Sequence, residues 1–213
     1  MNKQAENWKG TFGDEYTERT KKKQIPFKKT YGISRKNLNE EFIGSLDKNI
    51  DILEVGAGTG KQLQILKRMG FHNLYGIEIN QNAIDHAQSK KGIFVVFGNG
   101  LNLTFVDDCF DLIFTSMALI HIAPKDINKV LKGIYKCSKK YIWGFEYYAK
   151  EYTEKIYRGK KNLLWKTDFV QIYLDLFPDL KLIKRKKLEY LKIPDYWGKD
   201  NYQDEMFLLE KRR

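Results

Sequence analysis

Cysteine is scarce in this sequence, and long apolar runs and internal repeats are absent. Two cysteines occur among 213 residues, too few and too far apart for a disulfide framework or a C-x-x-C metal site. No stretch approaches the roughly 18 consecutive apolar residues that a membrane-spanning helix requires, and residues 1–10 lack the apolar region of a signal peptide. These absences predict a soluble, cytoplasmic protein without a bound metal.

The charge of the chain is strongly positive. Lys and Arg number 38 against 27 Asp and Glu, which gives a net charge of +11. Lysine and arginine form short runs at 21–23, 139–140, 160–161 and 184–187. Such a surplus fits a nucleic acid, an anionic small molecule or a merely solvated surface. We expect an anionic small-molecule partner, with nucleic acid the less favoured alternative, and the sequence leaves the oligomeric state open.

Short apolar runs alternate with segments of helical periodicity along most of the chain. Strands are predicted over 50–55, 73–79, 93–97, 110–115 and 141–147, with amphipathic helices after the first, second and fourth. This alternation predicts a Rossmann-like α/β fold, a mostly parallel sheet with helices on both faces. Two more strand-like segments, 180–190 and 205–210, predict an antiparallel C-terminal hairpin that completes a seven-stranded sheet.

The first 49 residues differ from the remainder. Their polar, lysine-rich lead carries the aromatic residues Trp8, Phe12 and Tyr16, and Ser34 is placed to cap a helix. We expect residues 1–49 to form a helical cover or lid over a catalytic domain that spans residues 50–213.

A glycine-rich turn follows the first predicted strand. Glycines 56, 58 and 60 open the next helix, where backbone can approach a ligand closely. A dinucleotide fingerprint would place its third glycine at position 61, where this chain has Lys61, which argues against a nicotinamide oxidoreductase. The pattern Glu-x-Gly-x-Gly-x-Gly instead resembles motif I of class I S-adenosylmethionine-dependent methyltransferases. The resemblance implies that this cofactor is bound by Glu54, Gly56, Ala57, Gly58, Thr59 and Gly60.

Further cofactor contacts are expected where the next strands end. Glu78 ends the second predicted strand, where a carboxylate can accept both ribose hydroxyls of an adenosyl group. The segment at 98–101 resembles the methyltransferase loop that holds adenine, although Asn99 stands where many relatives carry Asp. The cofactor-binding residues expected beyond the glycine-rich turn are Glu78, Ile79, Asn99, Gly100, Leu101 and Met117.

Candidate catalytic residues follow the fourth and fifth strands. A neutral His121 can accept a hydroxyl proton, although a loop histidine with a backbone partner is an equally good reading. Glu146 and Tyr147 end the fifth strand at the ligand edge of the sheet, where a packing role for the tyrosine remains the alternative.

Short segments spread along the chain resemble a narrower group, the pseudaminic acid biosynthesis-associated methylases. Examples are Trp8 with residues 12–16, His121 with Pro124, residues 146–148, and Arg158 in the segment 157–159. The resemblance implies O-methylation of a sugar or nucleotide-sugar precursor of a surface glycan. Arg158 and the neighbouring lysines would then clamp the substrate's anionic group, unless they are simply a solvated basic segment.

Two other classes of protein stay open on the sequence. One is a methyltransferase acting on RNA or on another small molecule, because the positive charge suits nucleic acid. The other is a non-catalytic binding module that keeps the cofactor fold, because a fold does not fix a function.

Overall fold

A twisted sheet forms the centre of the computed structural model, which describes residues 3–21, 26–191 and 203–212. Its strands are β1 (Asp51–Val55), β2 (Asn73–Glu78), β3 (Phe94–Phe97), β4 (Phe110–Ser116), β5 (Ser138–Tyr148), β8 (Leu180–Glu189) and β9 (Gln203–Lys211). Their order is β3-β2-β1-β4-β5-β9-β8. The first five strands are parallel, whereas β9 is antiparallel to β5 and to β8. The carboxyl ends of β1, β2, β4 and β5 therefore meet at one edge.

Helices cover both faces of this sheet. They are α1 (Lys3–Lys9), α2 (Thr11–Lys21), α3 (Phe27–Tyr31), α4 (Arg35–Ile43), α5 (Lys61–Arg68), α6 (Gln81–Gln88), α7 (Pro124–Cys137) and α8 (Phe169–Leu176). One core cluster joins α4, α5 and α6 to alternate strand residues such as Ile52 and Phe114. The other joins α7 and α8 to the opposite residues, such as Leu53 and Ile113. Neighbouring residues of a strand face opposite sides of the sheet and enter different core clusters. The strands therefore have apolar residues at consecutive positions and not an alternation of apolar and polar residues.

The predicted fold class is confirmed, the predicted helix cap at Ser34 is present, and Asn80 caps α6 in the same way. Ser34 Oγ accepts a hydrogen bond from Asn37 N at 3.1 Å, and Asn80 Oδ1 accepts one from Ala83 N at 3.0 Å. Each side chain satisfies one of the amides that a helix start leaves without an intrahelical partner. The boundary proposed at residue 49 stays a prediction.

Some elements were not predicted from the sequence. The helix α8 and a small hairpin of β6 (Thr153–Glu154) and β7 (Trp165–Lys166) lie between the fifth strand and the C-terminal pair. Residues 192–202, between the two strands of the predicted C-terminal hairpin, lie outside the described residues. Within the described ranges no helix is both long and apolar enough to cross a membrane, and no cluster of three or more potential metal ligands occurs.

Candidate functional site

A cavity of about 410 Å³ lies at the carboxyl ends of β1, β2 and β4, within the size range of small-molecule sites. Loops that follow these strands form its floor, and residues of α1 and α2 form its roof. Parallel α/β sheets bind ligands at this edge. The cavity is therefore the candidate site.

The roof is attached to the floor by side-chain hydrogen bonds. Gln4 Nε2 donates to the carbonyl of His121, and its Oε1 accepts from Ala123 N at 3.1 Å. On the other side, the buried Asn80 donates through Nδ2 to Asp14 Oδ1 at 2.8 Å. These contacts hold α1 and α2 over the cavity, the position expected of a cover.

Gly58 and Glu78 form the centre of the floor. Gly58 has a φ of +51°, and a Cβ added there would meet nothing within 4 Å, so its backbone faces open space. Its amide donates to Glu78 Oε2 at 2.8 Å, while Glu78 Oε1 accepts from the amides of Ile79 and Asn80. Burial raises the pKa of Glu78, and these three amides oppose the rise. These amides occupy three of the roughly four lone-pair sites of the carboxylate, so Oε2 keeps one for a further donor.

Glu54 is a buried carboxylate with spare acceptor capacity. It lines the cavity with 2% of its surface exposed, and its Oε2 has no hydrogen-bond partner in the part of the chain that the structure describes. Burial raises its pKa well above the ordinary value, and the nearby Arg35 guanidinium acts in the opposite direction. Because a buried unsatisfied oxygen is costly, this atom marks a place where a donor from a ligand would fit.

His121 lines the same cavity beneath the roof. Its Nδ1 lies 2.7 Å from the carbonyl of Leu163, and its ring lies 4.3 Å from the Trp8 ring between centroids. Since a carbonyl can only accept, Nδ1 carries the proton and Nε2 remains an acceptor. Burial lowers the pKa of His121 to about 4, which keeps the ring neutral at physiological pH. The sequence allowed a backbone partner for His121 as one of two readings. The structure shows this partner, the carbonyl of Leu163, and it fixes the tautomer of the ring.

Glu146 and Tyr147 lie outside the cavity lining. Glu146 is buried, and its carboxylate accepts from Ala118 N at 3.2 Å and Ile120 N at 3.4 Å. It thereby holds the short 3₁₀ turn Leu119–His121 that carries the histidine. Burial raises the pKa of Glu146 to about 7. This geometry suits a positioning role, and a direct catalytic role for either residue stays a prediction.

Most residues predicted for the site come together around the cavity. Those lining it are Trp8, Tyr16, Glu54, Gly56, Ala57, Gly58, Thr59, Glu78, Ile79, Asn99, Gly100, Leu101, Met117 and His121. Gly60 is instead the N-cap residue of α5, with a φ of +71°, and lies against Ile93. Phe12 packs against the Trp8 ring. Arg158 is exposed and does not line the cavity, so the substrate clamp also stays a prediction.

The sequence did not point to Arg35 or Ser116. Arg35 is buried, stacks over the Phe145 ring at 4.1 Å and donates through Nη2 to Ser116 Oγ at 3.2 Å. Ser116 lines the cavity. No motif signals this pair, because the two residues lie 81 positions apart and meet only in the fold.

Gly13 provides a test of the roof. A Cβ at this position would lie 1.9 Å from Trp8 O and 2.8 Å from Asn80 Nδ2. We expect Gly13→Ala to separate α1 from α2 and to weaken cofactor binding about tenfold, roughly 1.4 kcal/mol, as measured by calorimetry. Gly10→Ala is the matched control, since its nearest contact is 3.3 Å from Glu6 O. Equal affinities in the two variants would contradict a binding role for the roof.

Comparison with known proteins supports the assignment of the fold and the cofactor. Residues 52–141 match the family profile of the Methyltransferase domain. The chain resembles the phosphoethanolamine N-methyltransferase of Plasmodium falciparum, with 28% identity over 99 residues, 44% of this chain and 37% of that protein. An uncharacterized methyltransferase of Staphylococcus carnosus is 32% identical over 81 residues, 38% of each chain. The matches thus span little more than a third of these relatives.

A solved structure extends the likeness to the whole chain. The SAM-dependent methyltransferase from Anabaena variabilis superimposes with a TM-score of 0.69 and 13% identity, covering 100% of this chain and 96% of that one. The likeness establishes the fold, and the family match covers the strands that build the cavity floor. The chain therefore has the Rossmann-like class I methyltransferase fold, its residues 52–141 are similar to the Methyltransferase domain family, and its cofactor is S-adenosylmethionine.

Proposed function

We propose that this protein transfers a methyl group from S-adenosylmethionine to a hydroxyl of an anionic small molecule. The substrate class we favour is a sugar or nucleotide sugar of the nonulosonic, pseudaminic acid type that serves as a precursor of a surface glycan. The observation that carries the proposal is a roofed cavity that brings Glu54, Glu78 and a neutral His121 together. A roofed cavity of this size suits a small acceptor better than a folded nucleic acid.

Residues of the floor fit the cofactor. Glu78 would accept from a ribose hydroxyl, and the backbone around Gly58 would lie against the nucleoside. The free Oε2 of Glu54 would accept from the ammonium group of the cofactor's methionine moiety. When bound, S-adenosylmethionine supplies an electrophilic methyl group. Trp8 and Tyr16 in the roof would exclude water from it.

His121 would serve the acceptor side of the reaction. Its Nδ1–H is engaged by Leu163 O, so Nε2 can take the hydroxyl proton as the acceptor oxygen bonds to the methyl carbon. Glu146 would hold the turn that carries His121, and Arg35 would orient Ser116 at the cavity wall. The protein would thus align the acceptor and remove one proton.

A second candidate is methylation of an amine. It is favoured by the similarity to the relative named a phosphoethanolamine N-methyltransferase. The two candidates differ in the acceptor atom, so labelled methyl transfer to paired hydroxyl and amine analogues of one anionic scaffold separates them.

The first test of the proposed function is ligand-induced stabilisation. We expect S-adenosylmethionine to raise the melting temperature, because at a hundredfold excess over its Kd it adds about 2.7 kcal/mol to the free energy of unfolding. NAD should leave the melting temperature unchanged. Methyl transfer from labelled cofactor is then measured with anionic sugars, nucleotide sugars and RNA. Binding without transfer to any acceptor would favour the non-catalytic binding module, and transfer to RNA alone would overturn the small-molecule assignment.

A further inference from the structure

A second concave surface lies beside the cofactor cavity and is strongly positive. It has a volume of about 510 Å³ and is lined by Lys21, Lys61, Gln64, Ile65, Arg68, His86 and Lys90. We call this surface the cationic groove, after its five basic residues Lys21, Lys61, Arg68, His86 and Lys90. No acidic side chain lines it in the described part of the chain.

The basic residues of the groove come from separate elements. Lys21 ends α2, His86 belongs to α6, and Lys90 follows α6. Lys61 and Arg68 are the first and last residues of α5. At seven positions apart they share one helix face at a spacing of roughly 10 Å. The fold therefore gathers charges that do not form a run in the sequence.

Carboxylates compensate only part of this charge. Lys21 pairs with Glu18 at 2.7 Å. Lys61, Arg68 and Lys90 form no salt bridge with any residue that the structure describes. Burial lowers the pKa of Lys90, and the charge of Lys61 lowers it further. Like charges held together in this way favour an anion.

Two of the ammonium groups are held in place before any ligand arrives. Lys61 Nζ donates to Thr20 O, and Lys90 Nζ donates to Thr59 O. An ammonium has three donors, so each group keeps two for a ligand. The neighbouring Gln64 adds an amide to the lining. Several charge-assisted donors gathered around one groove are the chemistry that binds phosphate oxygens.

We propose that the cationic groove is a binding site for the phosphate groups of a small polyanion, of which inorganic diphosphate is the simplest member. The open groove and the spacing of Lys61 and Arg68 suit two linked phosphates better than one. The site is distinct from the methyl-transfer site, although Lys61 lines both cavities. The proposal stands independently of the proposed function.

Calorimetric binding of inorganic diphosphate at physiological ionic strength tests the proposal. We expect the double variant Arg68→Gln/Lys90→Gln to bind diphosphate at least tenfold more weakly than the wild type. Lys129→Gln/Lys132→Gln on α7 removes the same charge from exposed positions outside the groove, and its affinity should stay within twofold of the wild type. Equal losses in the two double variants would show a general charge effect and overturn the site.

The pKa of His86 reports on binding at the groove itself, because an anion bound elsewhere on the protein would leave it unchanged. Burial lowers its pKa, as do Lys90, Lys21 and Lys61, whereas Glu18 acts in the opposite direction. Bound diphosphate should raise the His86 pKa, which NMR can follow because the chain has 3 histidines. An unchanged His86 pKa at saturating diphosphate would refute the site.

Two further variants and two further ligands keep the test decisive. Arg68→Gln alone replaces the double variant if that fails to fold, because Arg68 is exposed, and it should still lose several-fold in affinity. The variant Lys90→Arg keeps the charge and should retain most of the diphosphate affinity that Lys90→Gln loses. An oligonucleotide that displaces diphosphate and binds more tightly through the same residues would overturn the small-anion assignment. A nucleoside diphosphate that binds more tightly than free diphosphate would support it.

Discussion

Glu78→Ala is expected to weaken the binding of S-adenosylmethionine at least a hundredfold, about 2.7 kcal/mol. The carboxylate ends β2 at the cavity floor, where a ribose hydroxyl would donate to its remaining lone pair in a charge-assisted bond, worth about 1.5 to 3 kcal/mol. The substitution also releases the amides of Gly58, Ile79 and Asn80 that the carboxylate now holds. Calorimetry with the cofactor and with its product S-adenosylhomocysteine measures the loss.

A double-mutant cycle separates the ribose contact from the loosening of the loop. The product analogue without ribose hydroxyls should bind the wild type and Glu78→Ala with nearly equal affinity, whereas S-adenosylhomocysteine should discriminate strongly between them. Glu78→Gln keeps the shape and one oxygen, so its loss should be intermediate. A loss of equal size for both ligands would assign Glu78 to the loop alone, and normal binding by Glu78→Ala would remove it from the site.

The convergence of the predicted cofactor residues on one cavity was predictable because it depends on backbone topology. All parallel strands bring their carboxyl ends to one edge, so Gly58, Glu78 and Asn99 had to converge once the strands were recognised. Their spacing from each strand end sets their position to within a residue or two. The strand pattern thus predicts the edge of the sheet at which a residue lies.

The acceptor side was less predictable, because it depends on which way a side chain points. Phe145 and Glu146 are neighbours in β5 and face opposite sides of the sheet. Phe145 enters the core with α4 to α6, whereas Glu146 lies beneath the turn that carries His121. Position along a strand therefore predicted the edge correctly but did not distinguish a cavity residue from a support beneath it.

Contacts between segments far apart in the chain could not be predicted from the sequence. Gln4 meets His121 across 117 positions, and Arg35 meets Ser116 across 81. The basic runs in the sequence were equally uninformative about the cationic groove, since among those of their residues that the structure describes only Lys21 contributes to it. Burial and ion pairing decide which charges act together, and both arise from tertiary packing.

His121→Ala is expected to lower kcat by about 10² to 10⁴, the usual contribution of a general base, while S-adenosylmethionine affinity changes by less than about threefold. His121→Asn is the sharper variant, because its amide can still donate to Leu163 O but offers no acceptor in place of Nε2. It should be as slow as His121→Ala. His72→Ala, at an exposed position outside the cavity, is the control and should retain full turnover.

The pH profile distinguishes His121 from Glu146 as the group that sets turnover. With a pKa of about 4, His121 stays neutral from pH 5 to 8 and produces no change in rate there. Glu146, with a pKa of about 7, gains a proton as the pH falls through neutrality and then holds the amides of Ala118 and Ile120 less firmly. We therefore expect kcat to decline below about pH 7 in the wild type, and Glu146→Gln to have a lower rate without that decline. If His121→Asn turns over as fast as the wild type while Glu146→Gln is inactive at every pH, the proton is not taken by His121, and Glu146 is the base.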